Sequence, residues 1–280
     1  MPRFKITLAY DGAEFSGWQA QPGQRTVQGE LERAWFEITG ESVRLNAAGR
    51  TDAGVHAAGQ AASVESATQI APEALVGALN AKLPDDAAVL SVERANDDFH
   101  ATHDAKRKRY RYTIYNYRRR PVFMRRCAWH IPTPLDIEAM QQGAKSLIGT
   151  HDFISFQSAG SERESTVRTI FAVDVAQSGA GEGAACSPLA PTKPAAAGPP
   201  RPGGLGRGCF DDERDAVITI DVEGDGFLYN MVRAIAGTLA EVGRGRRTPE
   251  SIADVVAACD RCAAGQTAPA HGLTLLWVDY

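Results

Sequence analysis

Arg50, Asp52 and His56 are the three side chains able to do chemistry in "NAAGRTDAGVHAAGQ", residues 46 to 60. A carboxylate in so bare a stretch admits three kinds of chemistry. As half of an acid–base pair, as in aspartic proteases or glycosidases, it needs a second carboxylate presented in matching fashion. The chain has no second Asp-Ala-Gly or Asp-Thr-Gly loop, which weakens that option. As a metal ligand with His56 it needs further ligands, and no other His–carboxylate or Cys–His cluster completes a shell. Cys259 and Cys262 have CxxC spacing but no second pair, and helix packing suits them better than zinc. In the third option Asp52 works alone as a nucleophile or charge stabiliser, kept ionised by Arg50 or another arginine. Gly49 and Gly54 would then let a polymer come close to the backbone. Only this option uses every unusual feature of the stretch, the bland alternative being a surface turn. His56 fits hydrogen-bonded support of the loop better than catalysis.

A second feature concerns charge. The net charge is −4, yet ten of the 30 Lys and Arg residues lie in "KRKRYRYTIYNYRRRPVFMRR", Lys106 to Arg126, which contains no acid. The rest of the chain holds 20 basic against 34 acidic residues. Tyr110, Tyr112, Tyr115 and Tyr117 sit among these cations and offer flat rings beside them. A concentrated basic segment with interleaved aromatics favours RNA or DNA over a merely solvated pair of strands.

Composition sets the remaining bounds. With 280 residues and 44% hydrophobic content, the chain can build one large domain or two ordinary ones. No run approaches the ~18 apolar residues that span a bilayer. The start, MPRFKITLAY, alternates like a strand and lacks a signal-peptide block. Five cysteines, an odd number, argue against a disulfide framework. These features predict a cytoplasmic protein with reduced thiols.

Periodicity then supplies the elements that must hold the site. Arg3 to Tyr10 alternates as a half-buried strand, ended by Asp11-Gly12. Thr26 caps a helix that carries Val27, Leu31, Ala34, Trp35 and Ile38, and Gly40 stops it. Strands are expected at Val43–Ala47 and Gly59–Val64, a helix from Pro72 to Lys82, and a strand at Ala88–Arg94. The second half has strands at Arg109–Tyr115, Thr169–Val175, Ala216–Val222 and Leu273–Val278. Its helices are expected over Leu135–Leu147, over Leu228–Val242 and shortly after Pro249. Halves without regular alternation predict an α+β protein with largely antiparallel sheets. Between Gln177 and Asp215 the Pro-, Gly- and Ala-rich composition predicts a flexible excursion.

The segments "YDGAEFSGWQAQPGQRTVQGEL", "GRTDAGVHAAGQ", "DDFHATHDAKRKRYRY", "HDFISF", "STVRTI", "FLYNMVR" and "HGLTLLWVDY" occur in this order. Together they resemble the tRNA pseudouridine synthase A family nearly end to end, with GRTDAGVH the most specific. The excursion at 177–215 departs from the family pattern, as does Ala270, where members often carry proline. The resemblance implies the pseudouridine synthase fold: two ferredoxin/RRM-like α+β lobes, 1–105 and 106–280, whose sheets form a central basic cleft. It implies isomerisation of uridines at tRNA positions 38, 39 and 40, in the anticodon stem-loop, by a homodimer with neither metal nor organic cofactor. Asp52 becomes the expected catalytic carboxylate. Tyr110 becomes the residue that stacks on the target base and takes part in proton transfer. Arg233 becomes the partner of Asp52 across the cleft, helping to wedge open the RNA stem. Arg50 contacts RNA beside the catalytic loop. Phe99, His100 and His103 would shape the cleft wall. The alternative from another class is an inactive tRNA-binding module or RNA chaperone of the same fold.

Overall fold

In a computed structural model, which describes residues 1–160, 165–179 and 216–280, the alternating run Arg3–Tyr10 forms β1. Phe4, Ile6, Leu8 and Tyr10 all point to one buried face, as a period of two requires. Helix α1 (Val27–Thr39) closes that face with Leu31, Ala34 and Trp35. The Thr26 hydroxyl accepts from the Gly29 N–H at 3.2 Å, and Gly40 ends the helix in the left-handed region at φ 73°. Helix α2 (Pro72–Asn80) adds Leu75 and Leu79 to the same core.

The strands are β1, β2 (Asn46–Ala47), β3 (His56–Glu65), β4 (Ala87–Ala95), β5 (Arg107–Asn116), β6 (Trp129–His130), β7 (Gly149–Asp152), β8 (Val167–Gly179), β9 (Ala216–Gly224) and β10 (Leu273–Asp279). They form one sheet in the order β4-β1-β3-β10-β5-β9-β8-β7, with β2 on β3 and β6 on β5. All pairings are antiparallel except β3–β10 and β5–β6. The last strand joins the halves. It runs parallel to β3 for two positions, Thr274↔His56 and Leu275↔Ala57, and antiparallel to β5 along its other edge. In the second half, helices α3 (Ile137–Ala144) and α4 (Met231–Gly243) cover the face carrying Tyr112, Ile114, Ile218, Ile220 and Val222, and α5 (Ser251–Ala258) joins the same core.

Several expected elements shift. Only Asn46–Ala47 of the Val43–Ala47 segment pairs as strand. The returning strand begins at His56 rather than Gly59, because its first residues pair with β10. The helix expected from Leu228 begins at Met231, because Asn230 takes a left-handed φ of 61°. Gln177–Gly179, placed in the excursion by composition, continue β8 opposite Ile218, Val217 and Ala216. Residues 180–215 lie outside the described residues. Strands β6 and β7 carry no sequence signal at two and four residues. Cys259 is the C-terminal cap of α5 and Cys262 lies in the 3-10 turn Arg261–Ala263 that follows; both are free and exposed.

Candidate active site

Residues 46–65 form a hairpin whose tip carries Asp52. The chain enters along β3, with Asn46 opposite Ser63 and the Ala48 N–H donating to Ala61 O at 2.7 Å, and it returns at His56. Four residues of the tip are held through their backbone carbonyls. Gln60 Nε2 donates to Gly49 O at 2.8 Å, and Lys108 Nζ donates to Ala48 O at 2.6 Å. The Trp18 N–H donates to Thr51 O at 2.9 Å, and the Val55 N–H closes a turn on Asp52 O at 3.1 Å. Tyr10 and Thr51 share a buried hydroxyl contact of 2.8 Å. The small residues let neighbouring backbone approach: a Cβ on Gly12 would stand 2.0 Å from Val55 O, and one on Gly17 (φ +88°) 2.7 Å from Thr51 O. The "YDGAEFSGW" segment is thus the back support of the Asp52 loop.

At the tip the Asp52 side chain is one-third exposed, and Arg233 Nη1 lies 3.8 Å from its Oδ2. Burial raises the Asp52 carboxyl above its ordinary range, and the Arg233 charge offsets part of that rise. Arg233 stands in the first turn of α4 and is gripped twice. Its Nε donates to Ala268 O at 2.7 Å and its Nη1 to Asn230 Oδ1 at 2.6 Å. Asn230 is one of two non-glycine residues with positive φ among the described residues; such backbone strain concentrates at working sites.

Tyr110 comes from β5, between β10 and β9, and its ring is buried edge-on against Phe227 with centroids 5.1 Å apart. Its hydroxyl lies 3.8 Å from where a Cβ on Gly49 would stand. Burial pushes the Tyr110 phenol well above the usual range, with the charges of Tyr10 and Asp52 adding to it. Arg50 is exposed and makes no hydrogen bond or ion pair among the described residues.

His56 is not at the tip. The Gly12 N–H points at its Nδ1 at 3.1 Å, with Asp11 Oδ1 3.0 Å from the same nitrogen. Nδ1 thus lies between an N–H donor and a carboxylate acceptor, whereas Nε2 faces only carbonyl oxygens and carries a ring proton, assigned from the hydrogen-bond pattern. Nε2 faces Arg126 O at 2.8 Å and His271 O at 3.1 Å. Both nitrogens have close polar partners, so His56 ties three segments together. Among the described residues no group of three His, Cys, Asp or Glu side chains converges on a metal position. Phe99 packs on Tyr280 and its carbonyl accepts from Arg3, while the Ala101 N–H donates to Ser63 Oγ. Ser63 alternates away from Gln60, so this segment supports the far face of β3.

The model of the tRNA pseudouridine synthase family matches residues 6–104 and 144–280. The chain belongs to that family. It is similar to tRNA pseudouridine synthase A of Moorella thermoacetica, 44% identical over the whole of both chains. The same enzyme of Brevibacillus brevis is 42% identical and that of Pelobacter propionicus 41%, each again over the whole of both chains. Within the synthase, Asp52 and Arg233 fall in the matched stretches. Tyr110 falls between them and is covered by the full-length relatives.

The sequence expectations missed three supports of the synthase site. Lys108 was visible as part of a basic run, but only the period of two places it beside Tyr110. Gln60 and Asn230 carry no local signal, since both act on residues brought near by the fold. Gly12→Ala in the synthase is expected to lower the melting temperature by roughly 2–10 °C, because its Cβ forces the Val55 backbone away. Turnover at a temperature where the variant is fully folded should fall as well. Unchanged melting and turnover would show that the close approach does not support the loop.

Proposed function

We propose that this synthase isomerises uridines at positions 38, 39 and 40 in the anticodon stem-loop of tRNA to pseudouridine, with Asp52 as the catalytic carboxylate. The observation that carries the reading is the convergence of three elements: Asp52 at a hairpin tip, Arg233 3.8 Å away on α4, and Tyr110 buried on β5. The reaction breaks the N1–C1′ glycosidic bond, turns the uracil and rejoins it through C5, releasing the C5 proton. A stacked base cannot do this, so the nucleotide leaves the stem and enters the site. Asp52 acts on the sugar or base as the bond breaks. Tyr110 walls the pocket against loss of the free uracil and passes on the C5 proton. Arg233 partners Asp52 and props the opened stem, and Arg50 meets RNA phosphate at the rim. No net oxidation and no phosphoryl transfer occur, so the chemistry calls for neither metal nor organic cofactor. The proposal includes two lobes, 1–105 and 106–280, a homodimer and a cytoplasmic setting; no helix of the described residues is long and apolar enough to cross a membrane.

An unmodified tRNA transcript incubated with the protein should acquire carbodiimide-dependent reverse-transcription stops at positions 38 to 40. Absence of new stops in the anticodon arm would refute the assignment. The Asn230 grip on Arg233 gives a second test. A glycine accepts the left-handed φ at no steric cost, so Asn230→Gly removes the acceptor and leaves the backbone. Turnover should fall about tenfold as the guanidinium loses its alignment, with the melting temperature held. Parental turnover would show that Ala268 alone positions Arg233.

A further inference from the structure

The basic run from Lys106 to Arg126 divides in two in the fold. Within β5, Arg107, Arg109 and Arg111 alternate away from Tyr110 and meet acids on β8 and β9. Arg111 Nε stands 2.7 Å from Asp221 Oδ1, Arg109 Nη2 2.8 Å from Asp174 and 3.0 Å from Asp221, and Arg107 Nη1 3.2 Å from Glu223. The register sets Arg111 opposite Asp221 and Arg109 opposite Glu223. These largely buried pairs hold the sheet, so within β5 the cations serve strand pairing and not nucleic acid. The cations after β5 are placed differently. Arg118, Arg119, Arg120, Arg125 and Arg126 are all exposed, on a connection that contains no acid.

At the tip of that connection Val122 is 67% exposed and Phe123 91%, the largest exposure of any large hydrophobic residue among those described. The tip is nonetheless anchored. Met124 is buried, and its carbonyl accepts from the N–H groups of Cys127 and Ala128 at 3.1 and 3.0 Å. Arg126 O meets His56 Nε2 at 2.8 Å and Arg126 Nη2 meets Glu14 at 2.8 Å. His56 follows Asp52 by four residues, so the base of the arm abuts the catalytic hairpin. The arm also lies between the two stretches matched by the family model.

We propose that Phe123 is a stacking platform for an unpaired base of the tRNA, carried on an arginine-lined arm that grips the adjoining phosphates. A lone aromatic ring among cations suits a nucleotide, whose base offers a π-face and whose phosphates offer charge. A two-fold contact through the same tip would bring the exposed Arg120 and Arg125 of one copy against those of another, which like charge opposes. The proposal rests on tRNA being the substrate.

The test measures the Kd of an unmodified tRNA transcript for the full-length protein and its Phe123→Ala, Phe123→Leu and Phe123→Trp variants. Ala and Leu should each weaken binding about tenfold, and Trp should stay within about twofold of the parent. Arg120→Ser should reduce the slope of log Kd against log salt by about 1. Leu binding as tightly as the parent would overturn stacking, since any apolar side chain would then serve. Parental affinity in all variants would overturn the arm's role. A dimer-to-monomer change in light scattering for the Ala and Leu variants would assign the tip to contact between copies and overturn the proposal. Parent protein that binds tRNA without forming pseudouridine would defeat the proposed function alone, and the Phe123 series would still decide the arm.

Discussion

Asp52→Asn is expected to abolish pseudouridine formation, by at least about a thousandfold, while tRNA affinity stays within about threefold of the parent. The amide keeps the size and polarity of the side chain but can neither carry the charge nor act as nucleophile. Stability should move the other way. Burial raises the Asp52 carboxyl above its ordinary range, so the native state holds that proton more tightly than the unfolded chain. The stabilisation is present at low pH and is lost as pH rises through the folded value. At neutral pH the ionised group is therefore a cost that Asn removes, and the melting temperature should hold or rise. Arg233 keeps its bonds to Asn230 and Ala268 without Asp52. In the parent, kcat/KM should fall as pH is lowered through a value above the ordinary ~3.9 of Asp. Near-parental turnover in the variant would reduce Asp52 to a structural role.

Tyr110→Phe should bind tRNA like the parent and lose about a hundredfold in turnover, the low end of what a positioned proton-transfer group contributes. The ring, its contact with Phe227 and the pocket wall all survive the change. What disappears is the hydroxyl, which faces Gly49 at the Asp52 hairpin. Burial, with Tyr10 and Asp52 nearby, opposes the phenolate, so the group works protonated and hands on one proton as it accepts another. It should therefore add no alkaline limb to the activity profile below about pH 10. Full activity would confine Tyr110 to stacking and require another acceptor for the C5 proton.

Much of this was legible in sequence because it depends on neighbours along the chain. The alternation of Phe4, Ile6, Leu8 and Tyr10 specified β1 to the residue, and Thr26 with Gly40 bounded α1, since caps and periodicity are local. Asp52 stood out because its flanking residues are too small to explain themselves. The short β6 and β7 were illegible because two to four residues carry no periodicity.

Tertiary structure alone decided which basic residues hold the sheet and which face solvent. Arg111 and Arg120 are equivalent as letters, but strand register sets one against Asp221 and leaves the other on the arm. It also decided what surrounds Asp52. The Arg233 guanidinium, its Asn230 latch, the Tyr110 hydroxyl and the glycines at 12 and 17 come from separate segments, and only their packing sets their distances. By itself the sequence singled out Asp52 as the candidate carboxylate and specified the elements that rest on caps and periodicity. The charge state and the reach of that carboxylate depend on burial and on partners distant along the chain, and these exist only once β1 to β10 have joined into one sheet.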